Sequence, residues 1–494
     1  MYKYILFLAI NSILISNIAL GQTVKWGQEA KTDKASGSIT SLGWHEGYLY
    51  NIEREGAKSF SFGGELRLEK LTKDLKVVLS KELEEAKSYL SHFEIQGEEI
   101  VVYKTDYTRS SRKMDIIKVR FNLNGQLLGK EEIVTIELKK GYIPSGGFSS
   151  SPDGSIINLF LALTNEDKKE LELVSLTFDS KTEAGFKRVD QSFTLEEGKT
   201  YATAEEYKVD NASNVYVVLK SSEKFNSDIL CNHLLVLDKN GEYLLNKKLD
   251  FEDFLLTEIE VKISSNNQAY FTGMISTYND KESLMNNGFF LFDLDQSTFE
   301  IGNFKSFVYN EEFFLSLGYK IKKDGYVKFS GLYNLEIILN DNGGGFLVAN
   351  HKTNFRSSGV SNKELVVLSF SDDLTIDAPL VVPRSLNSYP PLLNGLGYLG
   401  FCRGTELHLV YTDHEDNIEE KLLEDMKDAD NPLDKKAVIY IASVTPGEGV
   451  KRKILSSENE IKGYLIPDKC QSTNDKVILN VGNKKKTLYG EIKF

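Results

Sequence analysis

The feature that most constrains this chain is a repeat. A pair of short apolar segments, each with the composition of a β-strand, recurs about every 60 residues. The first members read GYLYNIER (47–54), EEIVVYKT (98–105), SIINLFLAL (155–163), NVYVVLKS (214–221), QAYFTGMIS (268–276), GFLVANHKT (345–353), ELHLVYTD (406–413) and KVILNVGN (476–483). Their starts are spaced 51, 57, 59, 54, 77, 61 and 70 residues apart. Each has a partner segment, such as DIIKVRFN (115–122), LELVSLTFD (171–179) or FFLFDLD (289–295). Turn-forming residues bound them: Asp153-Gly154, Asn211 to Ser213 and Asn342 to Gly345 on one side, Asn122 to Gly125 and Asp238 to Gly241 on the other. Gly and Asn tolerate the positive φ of tight turns, so these are strand boundaries with a mechanism.

Strand-like text such as EYLLNKKL (242–249) follows the pairs, so each unit holds about four strands. One small sheet of this kind cannot bury both of its faces. Stacking such sheets in a ring covers every face and leaves only short outer edges. The pattern predicts an all-β chain: a β-propeller of four-stranded blades, eight by this count, with seven as the nearest alternative. The last hairpin stops at Phe494 without an outer strand. TVKWGQEA (23–30) supplies one before SGSITSLGW (36–44) opens the first blade, so the N-terminal strand is expected to close the ring. Two stretches look inserted: residues 81–94, KELEEAKSYLSHFE, of helix-forming composition, and the charged residues 418–436, which carry Pro432. Both are expected to be loops or short helices.

The texts SPDGS (151–155), NASNVYVVL (211–219) and LDKNGEYL (237–244) resemble repeats of secreted or periplasmic bacterial β-propeller proteins. DNGGGFLVANHKT (341–353), ELVVLSFSDD (364–373) and LHLVYTDHEDN (407–417) extend the resemblance over nearly the whole chain. It implies the fold and an envelope location. It brings no activity that transfers residue by residue.

The N-terminus points to the same compartment. Lys3 precedes an apolar stretch, residues 5–20, and Ala19-Leu20-Gly21 places small residues where a signal peptidase cuts. Residues 1–21 read as a cleavable signal peptide and 22–494 as a single propeller domain, secreted or periplasmic. The stretch is short for a membrane span and holds Asn11 and Asn17, and no second stretch of spanning length follows. The formal charge of −13, with 59 basic against 72 acidic residues, excludes the basic footprint of a nucleic-acid binder. Cys231, Cys402 and Cys470 are far apart and odd in number, which excludes a disulfide scaffold. Cys231 and Cys402 lie near apolar runs and are expected to be buried.

Chemistry-bearing residues are sparse. The densest polar group is Tyr411-Thr412-Asp413-His414-Glu415-Asp416-Asn417, at a strand end. Asp413, His414 and Glu415 offer donors for a divalent cation, although residues alternating along a strand cannot all reach one ion. No resident cofactor is expected. His351 and Arg356 flank a second strand end, and His45 precedes the first strand pair. Each more often serves as a hydrogen-bonded structural residue, but together they form the candidate site. Asp238-Lys239-Asn240-Gly241 opens like a calcium loop, yet Leu249 stands where the closing Glu is needed, so it reads as a turn. Gly343-Gly344-Gly345 precedes a strand rather than a phosphate-binding helix. Only Trp26 and Trp44 are present, too few for the blade tryptophans of quinone-dependent dehydrogenases. The function expected is binding: a rigid ring presenting loops to a protein, peptide or glycan of the cell envelope. The alternatives are a hydrolase or lyase acting on polysaccharide or peptide, which needs several candidate residues in one pocket, and a structural subunit of an envelope complex.

Overall fold

The structure is a computed structural model that describes residues 23–494 apart from 32–35, 56–65, 87, 89, 109, 166–169, 181–185, 196–197, 200, 224–229, 252–254, 279–283, 318, 322–330, 342, 356–358, 389–396, 419–425, 430–434, 457–463, 468–469, 473–475 and 484–485. The signal-peptide expectation and Arg356 therefore lie outside the described residues.

The chain forms eight antiparallel sheets, mostly of four strands laid side by side in chain order. Blades 1 to 7 span residues 36–82, 91–137, 142–194, 201–249, 255–308, 332–388 and 398–456. Blade 8 takes its inner strands from residues 464–493 and its outer strands from Thr23–Trp26 and Ala30–Lys31. The expected closure is present: Thr23 to Trp26 pair antiparallel with Lys493 to Gly490. Across the seam, Tyr489 Oη donates to Glu69 Oε2 of blade 1 at 2.6 Å.

The eight pairs recognised in the sequence are the second and third strands of each blade. These strands are covered on both faces, so they read as continuous apolar runs; Val215–Ser222 is buried at all but one position. The core is divided among the spaces between blades. Val101, Tyr103 and Ile116 of blade 2, for example, pack on Leu159, Leu161 and Leu176 of blade 3. The innermost strands are harder to read. Tyr201–Val209 is half-buried at most positions because one side faces the central channel.

The two ends of the ring differ. At one end, short turns join first to second and third to fourth strands. Asp210 shows how they are built: Oδ1 accepts from the backbone N–H groups of Ala212 and Asn214 at 2.9 and 2.8 Å. Neighbouring turns interlock, with Asp153 N donating to Asn211 Oδ1 and Asn211 N donating to Asn267 Oδ1. The Asp238 turn follows the same pattern, as its sequence implied. The other end carries the two longest connections, residues 309–331 and 415–436, beside blades 6 and 7.

Two expectations need correction. Residues 81–94 carry a short helix as expected, the single 3-10 turn Glu84–Ala86, but residues 81–82 and 91–94 belong to the strands that end one blade and start the next. Leu83 and Ala86 are drawn into the space between blades 1 and 2, and that burial overrides helix propensity. Cys231 is buried, but Cys402 is only partly so, because it lies on the innermost strand of blade 7. The described residues of 418–436 contain no helix after Ile418, and Ala429 bridges to Leu386.

Candidate functional site

His351, Asp413, His414 and Glu415 come together in one sector, at the long-connection end of blades 6 and 7. His351 is 4% exposed, and its Nδ1 lies 2.9 Å from Glu364 Oε1 and 2.6 Å from Tyr319 Oη. Tyr319 also donates to Glu364 Oε1 at 2.6 Å. Beside them Arg384 is fully buried, donating to Asn350 Oδ1 at 2.7 Å and to the Gly397 carbonyl at 3.1 Å. Asp413 Oδ1 accepts from the N–H groups of Ser385 and His414 and from Asn417 Nδ2, at 3.0, 2.8 and 2.9 Å. Burial pushes the Asp413 carboxyl up to about 6, against those hydrogen bonds and the pull of Arg384. Burial likewise pushes Arg384 down to about 10. Glu415 pairs loosely with Lys436, 3.9 Å away. His351, Glu364, Arg384 and Asp413 are each held by a neighbour and shut from water, whereas Glu415 is only half-buried. This arrangement ties blade 6 to blade 7.

His45 stands apart. It ends the innermost strand of blade 1, at the short-turn end, so the ring separates it from the other candidates.

A second cluster lines the channel, and it was missed in the sequence. A cavity of about 450 Å³ opens between the innermost strands of blades 3, 4 and 5, bounded by Phe148, Ser149, Glu205, Glu206, Tyr207, Lys208 and Lys262 among others. A β-bulge falls between Ala204 and Glu206 in blade 4, between Thr257 and Glu260 in blade 5 and between Tyr333 and Glu336 in blade 6. A bulge re-aims the residues around it. Glu206, Glu260 and Glu336 thus pair with Val218, Thr272 and Val348, three equivalent places in consecutive blades. Glu260 reaches the next blade, where Oε2 accepts from Ile337 N at 3.3 Å. Burial, then repulsion from Glu336, pushes its carboxyl up to about 7, while Lys262 opposes the shift.

Lys208 Nζ lies 3.3 Å from Glu206, and Lys220 Nζ lies 3.6 Å from Glu205 Oε1. Glu205 Oε2 is shielded from solvent and has no hydrogen-bond partner. Burial raises this carboxyl, with Lys220 opposing. A Cβ at Gly147 would stand 2.3 Å from Tyr207 Oη, so that glycine makes room for the phenol at the cavity wall. The wall therefore offers carboxylates, ammonium groups and aromatic faces side by side, which suits a polar ligand with hydroxyl or amino groups. The signal was present at the level of repeats: Glu206-Tyr207-Lys208-Val209 and Glu260-Val261-Lys262-Ile263 share one pattern, in strands too polar to attract notice.

The chain matches no protein-family profile and no curated protein sequence. Solved structures of similar outline include Chaetomium thermophilum Sqt1 bound to the N-terminus of the ribosomal protein L10, at 12% identity and a TM-score of 0.42 over 92% of this chain and 96% of that one. A family PL25 ulvan lyase aligns at 9% identity and a TM-score of 0.40, over 86% of this chain and 96% of that one. A Penicillium chrysogenum α-L-arabinanase complexed with arabinobiose aligns at 9% and 0.32, over 60% and 92%. At such values the likeness carries no argument about function, and the eight sheets themselves establish the propeller.

Proposed function

We propose that this propeller is a binding protein of the cell envelope, secreted or periplasmic, and that its channel cavity receives a polar group of a peptide, protein or glycan. The observation that carries this reading is Glu205: a carboxylate oxygen without a hydrogen-bond partner, at the wall of a cavity that also presents Lys208, Lys262 and Tyr207. A buried acceptor left unsatisfied is costly, and a ligand hydroxyl or ammonium group relieves that cost. The rigid ring holds the wall in place, so little ordering entropy is lost on binding. The signal-peptide pattern of residues 1–21 supports the location, and the acidic balance argues against nucleic acid.

The test is to probe glycan and peptide arrays with residues 22–494 and with Glu205→Gln and Lys262→Met variants. A ligand held by the parent protein and weakened about tenfold or more by either variant supports the reading; this corresponds to losing one charged hydrogen bond. Retention of the same ligands by both variants would place binding elsewhere and overturn it.

A further inference from the structure

His45 is followed by the turn Glu46-Gly47 in blade 1, and Glu98 occupies the corresponding turn of blade 2. One donor atom from each of His45, Glu46 and Glu98 lies within 4.8 Å of the other two. No other set of three such donors comes as close among the described residues. His45 Nε2 is 3.8 Å from Glu98 Oε1, too far for a hydrogen bond. That nitrogen is nevertheless shielded from solvent and has no hydrogen-bond partner. The ring is steadied edge-on by Tyr50, with centroids 6.5 Å apart.

Two ligands held 2.0–2.2 Å from one tetrahedral ion stand about 3.4 Å apart. The observed gap is close to that spacing, and the two glutamates are exposed, so small rotations of their side chains complete it. The other histidines are differently placed: His233, His351, His408 and His414 are buried beside Cys231, Glu364, Ser443 and Asp416, and burial pushes His92 down to about 4.

We propose that His45, Glu46 and Glu98 bind one first-row divalent cation of the zinc type, with water completing the coordination. An imidazole with two carboxylates suits such an ion, whereas calcium favours six to eight oxygens. The ion joins the turns of two adjacent blades, beside the seam where the ring closes. The Lys73 chain packs over Gly47, with Nζ 3.8 Å from where a Cβ there would stand. Its charge opposes the ion, so the affinity falls short of that of a structural zinc site.

The test is calorimetric titration of tag-free residues 22–494, stripped by chelator, with Zn²⁺. The expected result is one equivalent bound with a dissociation constant tighter than about 100 µM. Glu98→Gln should weaken binding about tenfold, and His45→Ala should abolish it. Glu448→Gln, an exposed turn residue, should leave it unchanged. Zinc should also raise the melting temperature of the parent protein but not of His45→Ala. All three side chains sit at or beside turns, so the metal-free variants should melt like the parent, which separates lost binding from lost folding. Absence of saturable binding in the parent, or undiminished binding in His45→Ala, overturns the proposal.

Discussion

Replacing Gly490 by alanine sets a methyl group against the strand that closes the ring. Gly490 pairs with Trp26, and a Cβ there would stand 2.5 Å from Trp26 Cε3 and Cζ3 and 2.8 Å from Val24 Cγ1. Carbon atoms prefer about 3.5–4.0 Å, so the overlap is roughly 1 Å. An indole is rigid, so it must swing out or the four-residue strand must shift. Either response costs about 1–3 kcal/mol, the usual range for overpacking. Trp26→Ala removes a partly buried indole and costs about 2–4 kcal/mol. Because both changes act on the same contact, the double variant should lose less than the sum, by about 1–2 kcal/mol. The assay is built into the sequence. Its two tryptophans flank the seam: Trp26 packs against the cluster of Leu479 and Ile492, and Trp44 against that of Leu49 and Tyr489. Fluorescence therefore reports the seam, while circular dichroism reports all eight blades. In urea, Gly490→Ala should move the fluorescence midpoint to lower denaturant and move the dichroism midpoint less. A shift smaller than about 0.5 kcal/mol, or strict additivity in the double variant, would falsify the account of closure.

Three further outcomes follow from the structure. Folding raises the Glu260 carboxyl from its ordinary 4.5 to about 7, so the folded chain holds more protons than the unfolded chain between those values. Stability should fall by about 3 kcal/mol as pH rises through that window and then level off, and Glu260→Gln should flatten the profile in pH-dependent urea melts. His351→Ala leaves the buried Glu364 without its imidazole and should cost about 3 kcal/mol by chemical denaturation, more than the shape-preserving Glu364→Gln. Gly147→Ala pushes the Tyr207 phenol from its place at the cavity wall and should weaken any array-identified ligand about fivefold; an unchanged affinity would mean the ligand does not use this wall.

Legibility in the sequence followed burial. Strands such as Ile156–Asn165, and residues 289–294 of the strand Leu284–Leu294, are covered on both faces, so their apolar runs stand out, and counting them gives the blades. The closing strand was legible for a different reason: the last hairpin lacked an outer strand and TVKWGQEA was left over. The innermost strands were hidden because the channel permits polar residues on them, as AEEYKV (204–209) shows. The candidate site was legible only in part. His351 and Asp413 were marked as strand-end residues, but Tyr319, Glu364 and Arg384, which pack around them, come from separate segments that share no pattern.

The sequence by itself determined the all-β ring, its eight units and its closure by the N-terminal strand, because turn chemistry and apolar runs are local properties written in every repeat. Tertiary structure alone decided where the charged groups stand. Bulges in blades 4, 5 and 6 bring Glu206, Glu260 and Glu336 to equivalent places along the channel, and the curvature of the ring sets the turn of His45 beside that of Glu98. It also shut His351 and Asp413 from water between blades 6 and 7. Such placements depend on how one blade meets the next, and no single repeat carries that information.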